Sequence, residues 1–255
     1  MIFDLLVSLL TLTFMEIVLG IDNIIFISIS SDKLPLHQRK NARITGISLA
    51  LIIRVILLAG IAWMVGLTAP IASIQLPAWI SDAAYELSWH DIILFAGGLF
   101  LIAKSTTEIH AKVEGESETK EDRKQSALVG VVLQIASLDI VFSFDSILTA
   151  IGLVDLPRDA VSPLEIMSSL PFWIMVMAVG IGMAVMLIAS GWVAAFINKH
   201  PTVKILALSF LLLIGFMLLL EGLHIDVPKG YIYFAIFFSL FVEIINMRVR
   251  KKIDK

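Results

Sequence analysis

The sequence predicts an all-α, polytopic membrane protein with about seven transmembrane helices. Three observations carry this. Apolar residues make up 58% of the 255 positions and charged residues only 16%, against about a quarter charged in an ordinary soluble domain, and the mean hydropathy is +0.94. The apolar residues fall in runs, most of them reaching the roughly 20 residues that cross a bilayer. Lys and Arg collect on alternate connectors. Cysteine is absent, which excludes disulfides, thiolate metal sites and thiol nucleophiles.

The runs predict helices over residues 4–30, 43–67, 91–110, 126–153, 172–196, 203–222 and 230–247. The N-terminal run has no basic residue before it, and acids interrupt it, so it does not read as a cleavable signal peptide. The first connector carries Lys33, Arg39, Lys40 and Arg43, the third Lys112, Lys120, Arg123 and Lys124, the fifth Lys199 and Lys204, and the tail Arg248, Arg250, Lys251, Lys252 and Lys255. Only Arg158 and Lys229 fall on the other side. The positive-inside rule then puts the N-terminus outside and the C-terminus in the cytoplasm. Connector three, KVEGESETKEDRK, reads as a flexible charged linker. Trp79, Tyr85 and Trp89, in the stretch 68–90, suit the outer membrane–water interface.

Two segments match without gaps: Met15–Ile25, MEIVLGIDNII, and Leu138–Leu148, LDIVFSFDSIL. Glu16 aligns with Asp139, Asp22 with Asp145, Asn23 with Ser146 and Gly20 with Ser143. The match relates helix one to helix four, so the unit is three helices. An odd number inverts the second unit relative to the first, an arrangement common in transporters. The expected organisation is one transmembrane domain, with a first unit over 1–124, a second over 125–226, and a seventh helix with a basic tail over 227–255.

Glu16, Asp22, Asp139 and Asp145 lie inside predicted spans. A charge at mid-membrane costs about 2.5–3.5 kcal/mol, so protonation, a base, water or a bound cation has to offset it. Glu16 and Asp22 are six residues apart, about 9 Å along a helix and about 120° short of sharing a face, whereas Glu16 and Asn23 nearly share one. A break at Gly20 and Ser143 would reconcile the faces and free backbone carbonyls. With Asn23 and Ser146 the donors are all oxygen, and no histidine sits mid-span. That set suits Mg²⁺, Ca²⁺ or Mn²⁺ rather than zinc or copper. The bland alternative is structural: neutral acids as helix glue, or acids neutralised by Arg54 in helix two. Lys104 and Glu108, four apart, read as a pair within helix three. Glu221 lies near a helix end.

These motifs resemble the TerC family of bacterial integral membrane proteins. The resemblance rests on EIVLGIDNIIFI at 16–27, GGLFLIAKSTTEIH at 97–110 and SLDIVFSFDSI at 137–147. It implies a seven-helix inner-membrane transporter with manganese efflux as its activity, and it carries the acidic motif to Glu16, Asp22, Asn23, Asp139, Asp145 and Ser146. An acid-lined path would repel tellurite, which makes the tellurium phenotype of the family name an indirect one.

The expected function is therefore a transporter, not an enzyme. Mn²⁺ would bind near the midplane between two rocking units, with proton counter-transport, no prosthetic group, the lipid bilayer as surroundings and no nucleic-acid partner. Arg54, Lys104, Glu108 and Glu221 would support the site. Rival readings are Ca²⁺ exchange, a membrane scaffold that delivers metal without transporting it, and an intramembrane aspartyl protease. The last needs Gly-x-Gly-Asp where this chain has Leu19-Gly20-Ile21-Asp22. A retinal protein would need a Lys inside helix seven, which YIYFAIFFSLFVEIINM lacks.

Overall fold

The computed structural model describes residues 2–60, 64, 67–75, 84–114, 128–153, 168–225 and 227–253. Connector three falls outside them from Gly115 onward, its first residues Lys112 and Val113 being the end of α4, and Trp79, Arg158 and the side chain of Tyr85 fall outside them too. The described chain is helical apart from one hairpin. Its helices are α1 (Ile2–Leu19), α2 (Ile21–Asp32), α3 (Leu36–Ala59), α4 (Trp89–Val113), α5 (Leu128–Leu153), α6 (Leu170–Lys199), α7 (Pro201–Glu221) and α8 (Lys229–Ile253). Six spans are long and apolar enough to cross a membrane, α1 and α2 together making the first, and α5 is apolar over Leu128–Phe144.

Local chemistry sets the helix starts. Pro35 is extended (φ −52°, ψ 144°) and starts α3 at Leu36, seven residues earlier than the charged sequence implies. Arg39, Lys40 and Arg43 are thus helical, not loop. Ser88 caps α4 reciprocally. Its hydroxyl accepts from the Asp91 N–H at 3.2 Å, and the Asp91 carboxylate accepts from the Ser88 N–H at 2.8 Å. Ser169 caps α6, accepting from the Phe172 N–H. Pro201 opens α7 directly after His200, so α6 and α7 meet at a single-residue corner. The hairpin was not expected: β1 (Pro70–Gln75) pairs antiparallel with β2 (Ala84–Ser88), with a register irregularity between Pro70 and Ala72. Trp89, half exposed, follows it at the start of α4.

α4 packs along α7, α1 and α2 against α6, and α3 against α5 and α6. Exchanging the first three spans with the next three turns the one–five contact into the four–two contact and leaves three–six unchanged. α8 packs chiefly on α7, where Ile232 and Ile236 meet Phe210 in a small cluster of their own. Its other faces expose Phe234, Phe237, Phe238 and Phe241, a surface suited to lipid rather than water.

The α4–α7 contact is backbone against backbone. A Cβ on Gly98 would lie 2.6 Å from the Gly215 carbonyl oxygen, and one on Gly215 would lie 2.9 Å from that of Gly98. Small residues allow such close approach in membranes, where packing rather than the hydrophobic effect joins helices. Around Gly20 the helix loosens by one residue. Gly20 keeps right-handed dihedrals (φ −84°, ψ −6°), donates to the Glu16 carbonyl at 2.9 Å and accepts from the Ile24 N–H at 3.0 Å. A Cβ there would overlap the Met186 sulfur, so the missing side chain makes room for α6. α5 runs through Ser143 without interruption. The expected paired breaks are therefore corrected to one loosened residue at Gly20 and none at Ser143.

Gly98→Leu or Gly215→Leu is expected to force α4 and α7 apart and lower stability by about 1–3 kcal/mol or more. Gly180→Ala, with no neighbour within 4 Å of the new carbon, should show no loss. Thermal unfolding in detergent reads both.

Candidate cation site

The two matching sequence segments meet in the interior. α1 supplies Glu16, α2 supplies Asn23, α5 supplies Asp139, and α3 supplies Arg54, with Glu16 6%, Asp139 5% and Arg54 2% exposed. Arg54 lies between the acids. Its Nη2 donates to Asp139 Oδ1 at 2.8 Å, and its Nε lies 3.2 and 3.1 Å from Oδ1 and Oδ2. Its Nη1 pairs with Glu16 Oε1, which has no other partner among the described residues. Asp139 also accepts from Asn23 Nδ2 at 3.2 Å and from Ser143 Oγ at 3.1 Å. One carboxylate is thus surrounded by donors, and the other leans on Arg54.

The helical-wheel argument holds in space. Glu16 and Asn23, seven residues apart, face the same cluster, and Asp22 faces away from it. Asp22 lines a cavity of about 20 Å³ with Leu19, Phe142, Ile214, Lys229 and Tyr233, and its Oδ1 is buried with no hydrogen-bond partner among the described residues. A second cavity of about 20 Å³ lies beside Glu16, with Leu58, Ser146 and Met175 on its wall. Ser146 donates to the Ser143 carbonyl at 3.2 Å. Glu16 therefore lies opposite Ser146, and Asn23 opposite Asp139, as two antiparallel copies of one motif require. The side chain of Asp145 lies outside the described residues. Among the described residues, no group of three or more His, Cys, Asp or Glu side chains gathers as a metal cage. Close packing defines the wall: a Cβ on Gly182 of α6 would lie 2.6 Å from Glu16 Cγ.

Of the residues expected to support the site, Arg54 lies in it and the other three lie elsewhere. Lys104 Nζ is 3.0 Å from Glu108 Oε1, and Lys33, just after α2, joins the same carboxylate. Glu221 lies 3.6 Å from Lys229. Two further clusters were missed in the sequence. Asp32 binds both Arg39 and Lys204, joining α2, α3 and α7 with no local signal. Asp91 is met by His90 at 3.4 Å and by His224 at 3.2 Å. His224 lies in the turn after α7 with φ 56°, in the left-handed region. The spacing of Ser88 and Asp91 was a readable capping signal; the reach of His224 was not.

Chemically, the site presents oxygen ligands from two helices around a protein cation, in dry surroundings where an unpaired charge is costly. The sequence pattern of the integral membrane protein TerC family matches residues 3–255. The chain is 48% identical over 242 residues to UPF0053 inner membrane protein YgdQ of Escherichia coli (strain K12), covering 95% of this chain and 92% of that one. It is 45% identical over 246 residues to a UPF0053 protein of Haemophilus influenzae, covering 96% and 94%. It is also 45% identical over 245 residues to UPF0053 inner membrane protein YoaE of Escherichia coli (strain K12), covering 96% of this chain but 43% of that longer one. No solved structure matches the chain. A pattern matched over nearly the whole length, on a helical fold with at least six apolar spans, places this chain in the TerC family of integral membrane proteins.

Proposed function

We propose that the chain transports a divalent metal cation, Mn²⁺ foremost, across the bacterial inner membrane by alternating access. The observation that carries this is the burial of Glu16 and Asp139 at the crossing of the two matching helices, joined by Asn23 and Arg54. An intramembrane acid facing the bundle interior marks an ion path by default. Two at aligned positions fit a site shared by inverted units, and the exchange of span contacts supports units over 1–124 and 125–226. Hard oxygen donors without imidazole favour Mn²⁺, Mg²⁺ or Ca²⁺, and the family resemblance favours Mn²⁺ and efflux. Asp22 and Asp145, aligned in the motif, complete the path. Asp22 in its small cavity is a second station at which a cation or a counter-transported proton stops.

The basic connectors support an N-terminus outside and a C-terminus in the cytoplasm, and the names of the relatives support the inner membrane. A C-terminal green fluorescent protein fusion is expected to fluoresce and a C-terminal alkaline phosphatase fusion to stay inactive. The reverse pattern would invert the topology.

In inside-out vesicles, Mn²⁺ uptake is expected to saturate and to fall by about tenfold or more in Glu16→Gln, Asp22→Asn, Asp139→Asn and Asp145→Asn. Weak competition by Ca²⁺ is expected. Intact uptake in all four variants would sink the site. Mn²⁺ binding that depends on these acids, with no flux, would instead make the chain a metal-delivery scaffold.

A further inference from the structure

We propose that Arg54 is a tethered competitor for the cation site. Its guanidinium holds the Glu16–Asp139 pair in the metal-free protein, and it has to leave that pair before a divalent cation binds. The proposal rests on the transport reading above.

Three observations carry it. Arg54 is the one Lys, Arg or His that is buried among the described residues, and it reaches one acid from each matching helix. The acids are paired unequally. Asp139 has Arg54, Asn23 and Ser143 as donors, whereas Glu16 Oε1 has only Arg54. A site built purely for structural neutrality would satisfy both, because a half-satisfied buried charge is costly. Finally, the cation breaks the symmetry of the motif. The second span, α3, supplies Arg54, whereas the span in the corresponding place of the second unit, α6, has no charged residue from Leu170 to Asn198. The motif alone would present two free carboxylates; the chain adds a removable positive charge on one side of them.

The charges show what this does. Two carboxylates and one guanidinium leave the site at a net −1. A divalent cation on both carboxylates with the guanidinium still in place would put like charges within contact distance. The cation and Arg54 therefore exclude each other. When the cation departs, Arg54 returns and pairs with both acids, leaving one net negative charge, so an empty carrier can change conformation without exposing two bare carboxylates to the membrane interior. Arg54 is on this account a positioning residue that sets affinity and lets the empty carrier return.

The test is Mn²⁺ binding by calorimetry to the purified full chain in detergent, beside Mn²⁺ flux in vesicles. A charge at this range shifts an ionic equilibrium by about one to three powers of ten. Arg54→Gln is therefore expected to bind Mn²⁺ about tenfold or more tighter than wild type, with slower net flux. Arg54→Lys, which keeps the charge but lacks the fork that spans both acids, should fall between. Added guanidinium chloride at millimolar concentration should weaken Mn²⁺ binding to Arg54→Ala and leave wild type unaffected. A salt bridge with only a structural role gives the opposite signs: weaker binding in Arg54→Gln, restored by guanidinium in Arg54→Ala. Those signs, or unchanged affinity in Arg54→Gln, overturn the proposal while leaving the transport reading intact. If Arg54→Gln does not fold, unchanged or weaker binding in Arg54→Lys overturns it alone. Absence of Mn²⁺ binding in wild type and all variants removes the transport reading itself, and this proposal with it.

Discussion

Inside a bilayer Glu16 and Asp139 have no bulk water to turn to, and each ionised carboxylate at mid-membrane would cost about 2.5–3.5 kcal/mol. Arg54 offsets that cost for both at once, and the planar fork of a guanidinium is what lets one side chain do so. The geometry of the interior follows from this demand. α3 packs against α5, α6 and α2, and the length of the Arg54 side chain carries its guanidinium on to Glu16 of α1. Glycine at 182 lets α6 close over Glu16, and glycine at 20 admits the Met186 sulfur where the first span loosens. The polar centre and the tight packing around it are one arrangement, because buried polar groups stabilise a fold only when their partners are held in place.

Away from that centre the ends of the spans are tied by charge. Asp32 gathers Arg39 and Lys204, Glu108 gathers Lys33 and Lys104, and Asp91 meets His90 and His224. In each case one acid serves two bases, the reverse of the interior, where one base serves two acids. That contrast is what supports the proposed reading of the interior as a cation site. Two acids and one base leave the interior with a surplus of negative charge, whereas Asp32 and Glu108 at the span ends each meet two permanently charged bases.

Much of the architecture was legible because a bilayer narrows the options to helices long enough to span it. Six of the seven runs became spans long and apolar enough to cross a membrane and the fourth became α5, apolar over Leu128–Phe144, with limits displaced where a local signal outweighed hydropathy. Pro35 begins α3 ahead of the apolar run, and the Ser88–Asp91 box begins α4. The rotation between Glu16 and Asp22 was also legible, since a regular helix keeps its angle, and Gly20 changed it too little to bring Asp22 round to Glu16. The hairpin over 70–75 and 84–88 was not legible, its residues carrying too little alternation to outweigh an interfacial loop. The contacts Asp32–Lys204 and Asp91–His224 were not either, because they join residues on separate helices.

By itself, the sequence determined that the chain lives in a membrane, that two of its helices carry one acidic motif, and that the donors are oxygen. Each of these is a matter of composition, period or local match, and none needs a fold to be true. Only the tertiary structure decided that Glu16 and Asp139 share one guanidinium while Asp22 stands apart in its own cavity. Those partners are 85 and 116 residues apart for Arg54 and Asn23 against Asp139. A pairing across such separations is decided by how helices pack, and packing leaves no mark on neighbouring residues.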